Sequence, residues 1–491
     1  MMHPLSQRIA DVLDLQPDSP AIEYDGQWLS WVQIGSAARR ISSSAYGKDV
    51  GMLLRNRPAH VAAFLGVLLS GATVVTINPS RGDERTRADI AALGLPLILG
   101  ESEDLTALVP TRAGPETMSI SGILDRSEEA ARRPATRLVF KGPGSDVAVR
   151  MLTSGTTGPP KRIDLSYDML AHSVMGGGYR DASPPDKLRS GVAIVNSPLV
   201  HIGGVFRVLQ CVAEARPFVL LERFELRSWT EAVRRHRPRA VSLVPAALRT
   251  VLHSDLTRDD LAGIRAVTCG TAPLSADDAD AFIEKYGIPV LTSYAATEFG
   301  GGVAGWTLAD HQRYWKVKRG SVGRPNPGAQ LRVVNDAGTP VAAHEVGRLE
   351  VKPAQLGTSP QWIRTTDMAR IDTDGFVWIV GRADQAIIRG GFKVMPDDIR
   401  NALESHPAVA GAAVIGRSDD RLGETPVAMV ELRTSASTDE LVEHLRQRLA
   451  RYEIPTDIAI VDAIPRTPSG KADLGAIRNF FRTAAHSDHA R

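Results

Sequence analysis

The sequence predicts an α/β fold, with a large N-terminal domain of packed α/β layers that carries a β-rich subdomain, and a small α+β domain at the C-terminus. Three observations carry this expectation. The chain has 491 residues, about three times a typical single domain of roughly 150, so more than one core is expected. From about residue 45 to 300, short apolar runs alternate with longer amphipathic stretches, the rhythm of parallel strands wrapped by helices. Beyond about residue 320 the punctuation changes to short strands joined by hairpin turns.

Taken in order, the first distinctive element is the uncharged run 61–77, long enough to raise the question of a membrane span. Gly66, Ser70, Gly71 and Thr73 interrupt it where helical spacing gives way to Val74-Val75-Thr76-Ile77. It reads as a buried helix followed by a buried strand. The runs 192–195, 240–244, 264–267 and 290–291 are further buried strands. Residues 330–334 turn through Asn335-Asp336-Ala337-Gly338, and Asp374-Gly375 separates 368–371 from 376–380, which gives the β-rich subdomain. After Gly381-Arg382, Pro396 opens a helix with Asp397 and Asp398 in its first turn. Strands at 409–415 and 426–432 follow, and Ser437-Thr438-Asp439-Glu440 is a capping box ahead of a helix with Leu441, Leu445 and Leu449 on one stripe. The division expected is 1–381 and 382–491.

Lys and Arg total 58 against 56 Asp and Glu, a net charge of +2 without a prominent block of one sign, which argues against nucleic acid as a partner. Two cysteines, Cys211 and Cys269, support neither a zinc site nor a disulfide framework. The N-terminal residues carry Asp11 and Asp14 and lack the apolar core of an export signal, so a cytoplasmic location is expected. No feature of the sequence specifies an oligomeric state.

The sharpest chemical signal is Met151-Leu152-Thr153-Ser154-Gly155-Thr156-Thr157-Gly158-Pro159-Pro160-Lys161. Four hydroxyls and two glycines fall within six residues, so the backbone can bend closely around an anion while hydroxyls and amides donate to it and Lys161 adds positive charge. Pro160 and Arg162 stand where a P-loop NTPase needs Gly and Ser or Thr around its lysine, so that signature does not match.

This loop resembles the signature of the adenylate-forming superfamily of acyl-CoA synthetases, nonribosomal-peptide adenylation domains and luciferases, and further segments similar to that family's motifs follow its order. Residues 51–79 resemble its early helix-strand core, and Pro198-Leu199-Val200-His201-Ile202-Gly203-Gly204 its pocket-histidine loop. Residues 269–274 resemble the adenine loop, Tyr294-Ala295-Ala296-Thr297-Glu298 the Tyr-Gly-x-Thr-Glu motif, and Arg364-Thr365-Thr366-Asp367 the ribose motif. Residues 381–396 resemble the hinge and its glycine-rich loop, and the stretch 465–471, ending in Lys471, the terminal catalytic-lysine motif.

The resemblance implies that a carboxylate attacks the α-phosphate of ATP, with Thr153, Ser154, Gly155, Thr156, Thr157 and Lys161 on the outer phosphates, Thr297 on the α-phosphate and Glu298 on Mg²⁺. Tyr294 is expected to stack on adenine, read by the backbone of Gly270, Thr271 and Ala272, while Asp367 takes the ribose with Arg382 in support. Lys471 bridges carboxylate and α-phosphate, carried in by a mobile C-terminal domain that turns about Asp384. His201 gates an acyl pocket lined by Gly204, Ala295, Ala296, Gly300 and Gly301, and Gly390 and Gly391 line a pantetheine tunnel. With no Asp or Glu between 196 and 213 to pair with an ammonium, and with Gly300 to Gly302 expected to leave room for a flat ring, the acid is predicted to be aromatic or bulky and to need no α-amino group. Thr271 and Ala295 replace glycines common in the family, so the adenine loop and pocket floor are bulkier. The first expectation for the acceptor is the thiol of CoA. An amine acceptor, forming an amide, is the alternative, and a luciferase-type oxygenase stands behind both.

Overall fold

A computed structural model describes residues 2–80, 82–110, 114–124, 145–152, 161–357, 361–389, 392–419, 422–467 and 470–488. Its first layer is a six-stranded sheet in the order Glu116–Ser119, Leu97–Gly100, Asp49–Leu53, Thr73–Ile77, Val147–Leu152 and Arg162–Ser166. The first five strands are parallel and the last returns antiparallel. Val74 and Val75 point into different cores, one packed under the helices Trp31–Ala45 and Pro58–Leu69, the other under Asp83–Leu93 and Ser102–Leu108.

The helix Pro58–Leu69 is apolar all round and buries every residue but Ala59, so the run 61–77 is an internal helix and strand as expected. Among the described residues no helix is long and apolar enough to cross a membrane. Gly66 sets how close that helix lies to its neighbour, because a Cβ there would stand 2.4 Å from the carbonyl oxygen of Ala38.

A second sheet, Gln27–Ser30, Pro20–Tyr24, Phe218–Leu220 and Ala193–Val195, lies between two cores. Phe218 and Leu220 join the first core, and the intervening Val219 joins the next. That next core also holds the third sheet, whose strands Ala240–Leu243, Ala266–Cys269 and Val290–Ala296 are parallel. The β-rich subdomain is an antiparallel sheet of Gln330–Val334, Gly347–Lys352, Ile363–Ile371 and Val377–Arg382, packed on Phe299 and Val303. From residue 387 onward a further sheet carries separate cores on its two faces, with helices Pro396–Glu404 and Thr438–Arg446 on one face and Leu474–Asp488 on the other.

Three local expectations are corrected. The turn at 335–338 forms, with the Gly338 amide donating to the Asn335 carbonyl, but the chain runs on to Gly347 before the full ladder begins, because only a single bridge, Val334 to Pro340, closes the turn. The Ser437 capping box is present, yet its helix ends at Arg446, so Leu449 packs on the core from outside it. One basic run escapes the averaged charge: Arg234, Arg235 and His236 crowd the C-terminal turn of the helix Leu226–His236, where the helix dipole favours cations and Asp260 and Glu23 pair with them.

Gly66→Ala is expected to lower unfolding stability by about 2 kcal/mol, since two helices must part to admit one methyl group. Urea denaturation followed by circular dichroism measures it, and an unchanged midpoint would show that the contact is not limiting.

Candidate active site

The site forms at the carboxyl ends of the third sheet, the edge at which parallel α/β sheets present ligands. Cys269 lies opposite Thr292, so Gly270, Thr271 and Ala272 leave the sheet beside Ser293. A Cβ on Gly270 would fall 2.9 Å from the Ser293 hydroxyl. Thr271 adopts φ +73°, a left-handed conformation that a β-branched residue enters only under strain. The replacement noted in the sequence as added bulk is therefore also a conformational cost.

The neighbouring strand, Val290–Ala296, pairs antiparallel with Gly301–Gly305 and is irregular between Tyr294 and Ala295. Such irregularities re-aim side chains at functional edges. A single 3₁₀ turn, Thr297–Phe299, follows, and Gly300 closes it at φ +70° with its amide donating to the Thr297 carbonyl. Thr297 is half-buried, whereas Glu298 and Ala295 are exposed.

The Tyr294 hydroxyl donates to Asp367 Oδ2 in a short contact. Burial raises Asp367 above the usual carboxylate range, offset in part by Tyr294 and Arg382, and burial together with Asp367 holds the Tyr294 phenol protonated. Asp367 faces Arg382 across two antiparallel strands. Arg382 in turn donates to both oxygens of Asp384, at 3.0 and 2.9 Å, which ties the turn Ala383–Gln385 to the preceding strand.

Lys471 closes a small turn in which the Thr467 amide donates to its carbonyl at 2.7 Å and Arg466 bridges to Ala472. Lys471 is half-buried; desolvation first, then Arg382, depresses its pKa, while Asp367 and Glu298 act the other way. His201 is pushed down to about 4 by burial and by Lys471, so its imidazole is neutral at physiological pH. Its buried Nε2 finds no hydrogen-bond partner among the described residues. Lys471, His201, Asp367, Arg382 and Glu298 thus meet in one electrostatic neighbourhood.

Gly204, in the first turn of the helix Ile202–Ala213, sits hard against the preceding turn, with 2.1 Å from its Cβ position to the Pro198 carbonyl oxygen. Gly300 and Gly301 do not leave the room expected of them. A Cβ on Gly300 would meet Met169 Cε at 2.8 Å, and one on Gly301 would meet the Ser173 hydroxyl at 3.1 Å and Gln355 Nε2 at 3.3 Å. The missing side chains admit the helix Tyr167–Met175, whose Ser173 hydroxyl donates to the Gly300 carbonyl at 2.6 Å. Ala296 pairs with Gly301 and Ala295 with Gly302 along the same hairpin. Lys161 is exposed where the strands Val147–Leu152 and Arg162–Ser166 meet, while Thr153, Ser154, Gly155, Thr156 and Thr157, and also Gly390 and Gly391, lie outside the described residues.

One group of functional interest left no signal in the sequence. Arg249, on the helix Pro245–Leu252, donates to Asp278 at 2.6 Å and to Glu404 at 3.0 Å, and Arg400 donates to the same Glu404 oxygen at 3.1 Å. The cluster joins the third sheet's helices to the helix Pro396–Glu404, and its side chains are mostly buried. The four residues are scattered between positions 249 and 404, and no spacing rule would group them.

With this geometry in place, the likenesses to known proteins follow. The AMP-binding enzyme family matches residues 9–358, and the AMP-binding enzyme C-terminal domain matches 398–471. The chain is 29% identical over 481 residues to 4-coumarate–CoA ligase 3 of Oryza sativa subsp. japonica, covering 91% of this chain and 86% of that protein. It is 28% identical to the indoleacetate–CoA ligase of Aromatoleum aromaticum, covering 96% and 97%. Its fold matches the o-succinylbenzoate CoA synthetase of Bacillus subtilis, solved with an acyl-adenylate intermediate, at a TM-score of 0.79, 24% identity and coverage of 98% and 97%.

Thr271→Gly is expected to stabilise the protein by about 1 kcal/mol, the relief of left-handed strain less the entropy that glycine adds to the unfolded chain. Chemical denaturation checks it, and destabilisation would show that the threonine side chain contributes more than its backbone costs.

Proposed function

The chain belongs to the AMP-binding enzyme family, and from that premise we propose that it activates an aromatic or similarly bulky carboxylic acid with ATP and passes the acyl group to the thiol of CoA. The observation that carries this reading is the nearness of half-buried Lys471 to His201, Asp367 and Glu298, which brings residue 471 to the carboxyl edge of the third sheet. The relatives named for coumarate and indoleacetate support an aromatic acid, as does the lack of any acidic residue between 196 and 213.

The acid is ionised at neutral pH, so no general base is required. Its oxygen attacks the α-phosphorus of ATP; the bond to the β-phosphate bridging oxygen breaks and pyrophosphate leaves. Lys471 brings positive charge to the two anions where negative charge concentrates, and Thr297 adds a hydroxyl donor. Glu298, together with phosphate oxygens and water, would hold a magnesium ion, the oxygen-donor set that this hard cation takes. That ion would neutralise charge on the departing pyrophosphate. Tyr294 and residues 270–272 take the adenine, Asp367 the ribose, and the loop 153–157 with Lys161 the outer phosphates. Tyr294 also orients Asp367 through its hydroxyl.

For the second step the thiol sulfur attacks the acyl carbon, loses its proton, and AMP departs. The portion beyond residue 381 turns about Asp384 between steps, withdrawing Lys471 and bringing Gly390 and Gly391 to the thiol's path. Both co-substrates are abundant in the cytoplasm, the expected location.

Lys471→Ala should reduce acid-dependent ATP–pyrophosphate exchange by roughly 10² to 10³ or more. Thioester formation from a supplied acyl-adenylate should survive; an equal fall in both steps would mark the lysine as structural. Because its pKa is depressed, Lys471 loses its proton at lower pH than a free lysine, so kcat/KM for exchange should decline on the alkaline side below the ordinary value of about 10.4. The acceptor is read by incubating the protein with ATP, Mg²⁺ and an acid it turns over, in the presence of CoA, a simple arylalkyl amine, or both. Thioester with CoA is the expected product; amide without thioester would replace CoA by an amine, and exchange driven best by a free amino acid or a long fatty acid would overturn the aromatic assignment.

A further inference from the structure

Asn56 stands just beyond the strand Asp49–Leu53, ahead of the helix Pro58–Leu69, and is only 3% exposed. Its side chain makes no use of its own sheet. Nδ2 donates to the carbonyls of Ser197 at 2.9 Å and Leu221 at 3.2 Å, and Oδ1 accepts from the Leu199 amide at 2.8 Å. Three of the four bonds an amide can make are spent on backbone of the second sheet's loops. Two of them fall on the short connection between the strand Ala193–Val195 and the helix Ile202–Ala213.

That connection carries His201. Its amide donates to the Pro198 carbonyl at 3.0 Å, and the next helical turn presses on the same carbonyl, 2.1 Å from where a Gly204 Cβ would lie. The loop is thus pinned from one side by Asn56 and from the other by the absence of a side chain at Gly204. Between these pins, His201 presents a buried Nε2 that has no partner among the described residues. A buried polar atom without a partner is costly, and it is tolerated where a ligand completes it. Removing the Asn56 amide would take the partner from one carbonyl and one amide of the loop, Ser197 and Leu199, and from the Leu221 carbonyl beside it.

We propose that Asn56 is a positioning residue for the acid: acting through the loop 197–201, it sets where His201 stands and thereby how tightly the acid is held, without touching the nucleotide. The inference rests on the proposed function, in which His201 borders the acid.

The test compares Asn56→Ala, His201→Ala and the double variant in acid-dependent ATP–pyrophosphate exchange, varying acid and ATP separately. Asn56→Ala should raise KM for the acid about tenfold or more, with KM for ATP within about twofold of wild type. In the His201→Ala background the same change should alter acid KM by less than about twofold, since the group it positions is gone. A parallel rise in both Michaelis constants, or full multiplication of the two effects, would reduce Asn56 to a general structural role and overturn the proposal. If Asn56→Ala fails to fold, Asn56→Ser and Asn56→Asp decide, and an unsplit response in both overturns it. Wild-type protein that exchanges with no acid in the panel would remove the underlying function and this assignment with it, whereas exchange by wild type without the split removes the assignment alone.

Discussion

In the proposed reaction, a lysine whose charge burial opposes sets the terms for the site. Lys471 loses hydration and lies near Arg382, both of which favour the neutral amine, and only Asp367 and Glu298 act against them. Joining two anions requires cationic charge that is held in place and is not already spent on a fixed partner. The carboxylates are accordingly engaged elsewhere: Asp367 accepts from Tyr294, and Glu298 is exposed at a turn. His201, lowered by burial and by the same lysine, is neutral beside it.

The remainder of the architecture brings distant pieces to that lysine. The third sheet supplies an edge with half-buried Tyr294, the antiparallel sheet supplies Asp367 and Arg382 on facing strands, and the bridge between Arg466 and Ala472 brings in Lys471 from beyond the C-terminal sheet. None of the three could assemble the constellation alone. The strained Thr271 and the irregular strand at Tyr294 both fall at this meeting point, where local regularity gives way to aim.

Much of this was legible in the chain because the informative residues cluster locally. The run 61–77 betrayed a helix and strand through its interruptions, Ser437 and Glu440 marked a helix start three residues apart, and each motif is a short continuous stretch of sequence. What stayed hidden depends on which surfaces meet. Gly300 and Gly301 suggested empty space, but the helix Tyr167–Met175, more than a hundred residues earlier, fills it with Met169 and Ser173. Asn56 reads as an ordinary polar residue ahead of a proline, and its partners, Ser197, Leu199 and Leu221, contribute only backbone, which no side-chain pattern reveals. Thr271 could be flagged as unusual, yet the sign of its φ needed coordinates.

The cluster around Arg249 has a consequence for how the protein could open. An isolated buried ion pair is hard to part because each half leaves a charge stranded, at a cost of about 3–5 kcal/mol. Here Arg249 shares Glu404 with Arg400, one turn away on the same helix as Glu404, and Arg249 keeps Asp278 on its own side. Separation therefore divides the cluster into two matched pairs, Arg249 with Asp278 and Arg400 with Glu404. It behaves as a clasp whose halves are each self-neutralised, so the interface can be specific when shut and still release without abandoning a lone ion on either face.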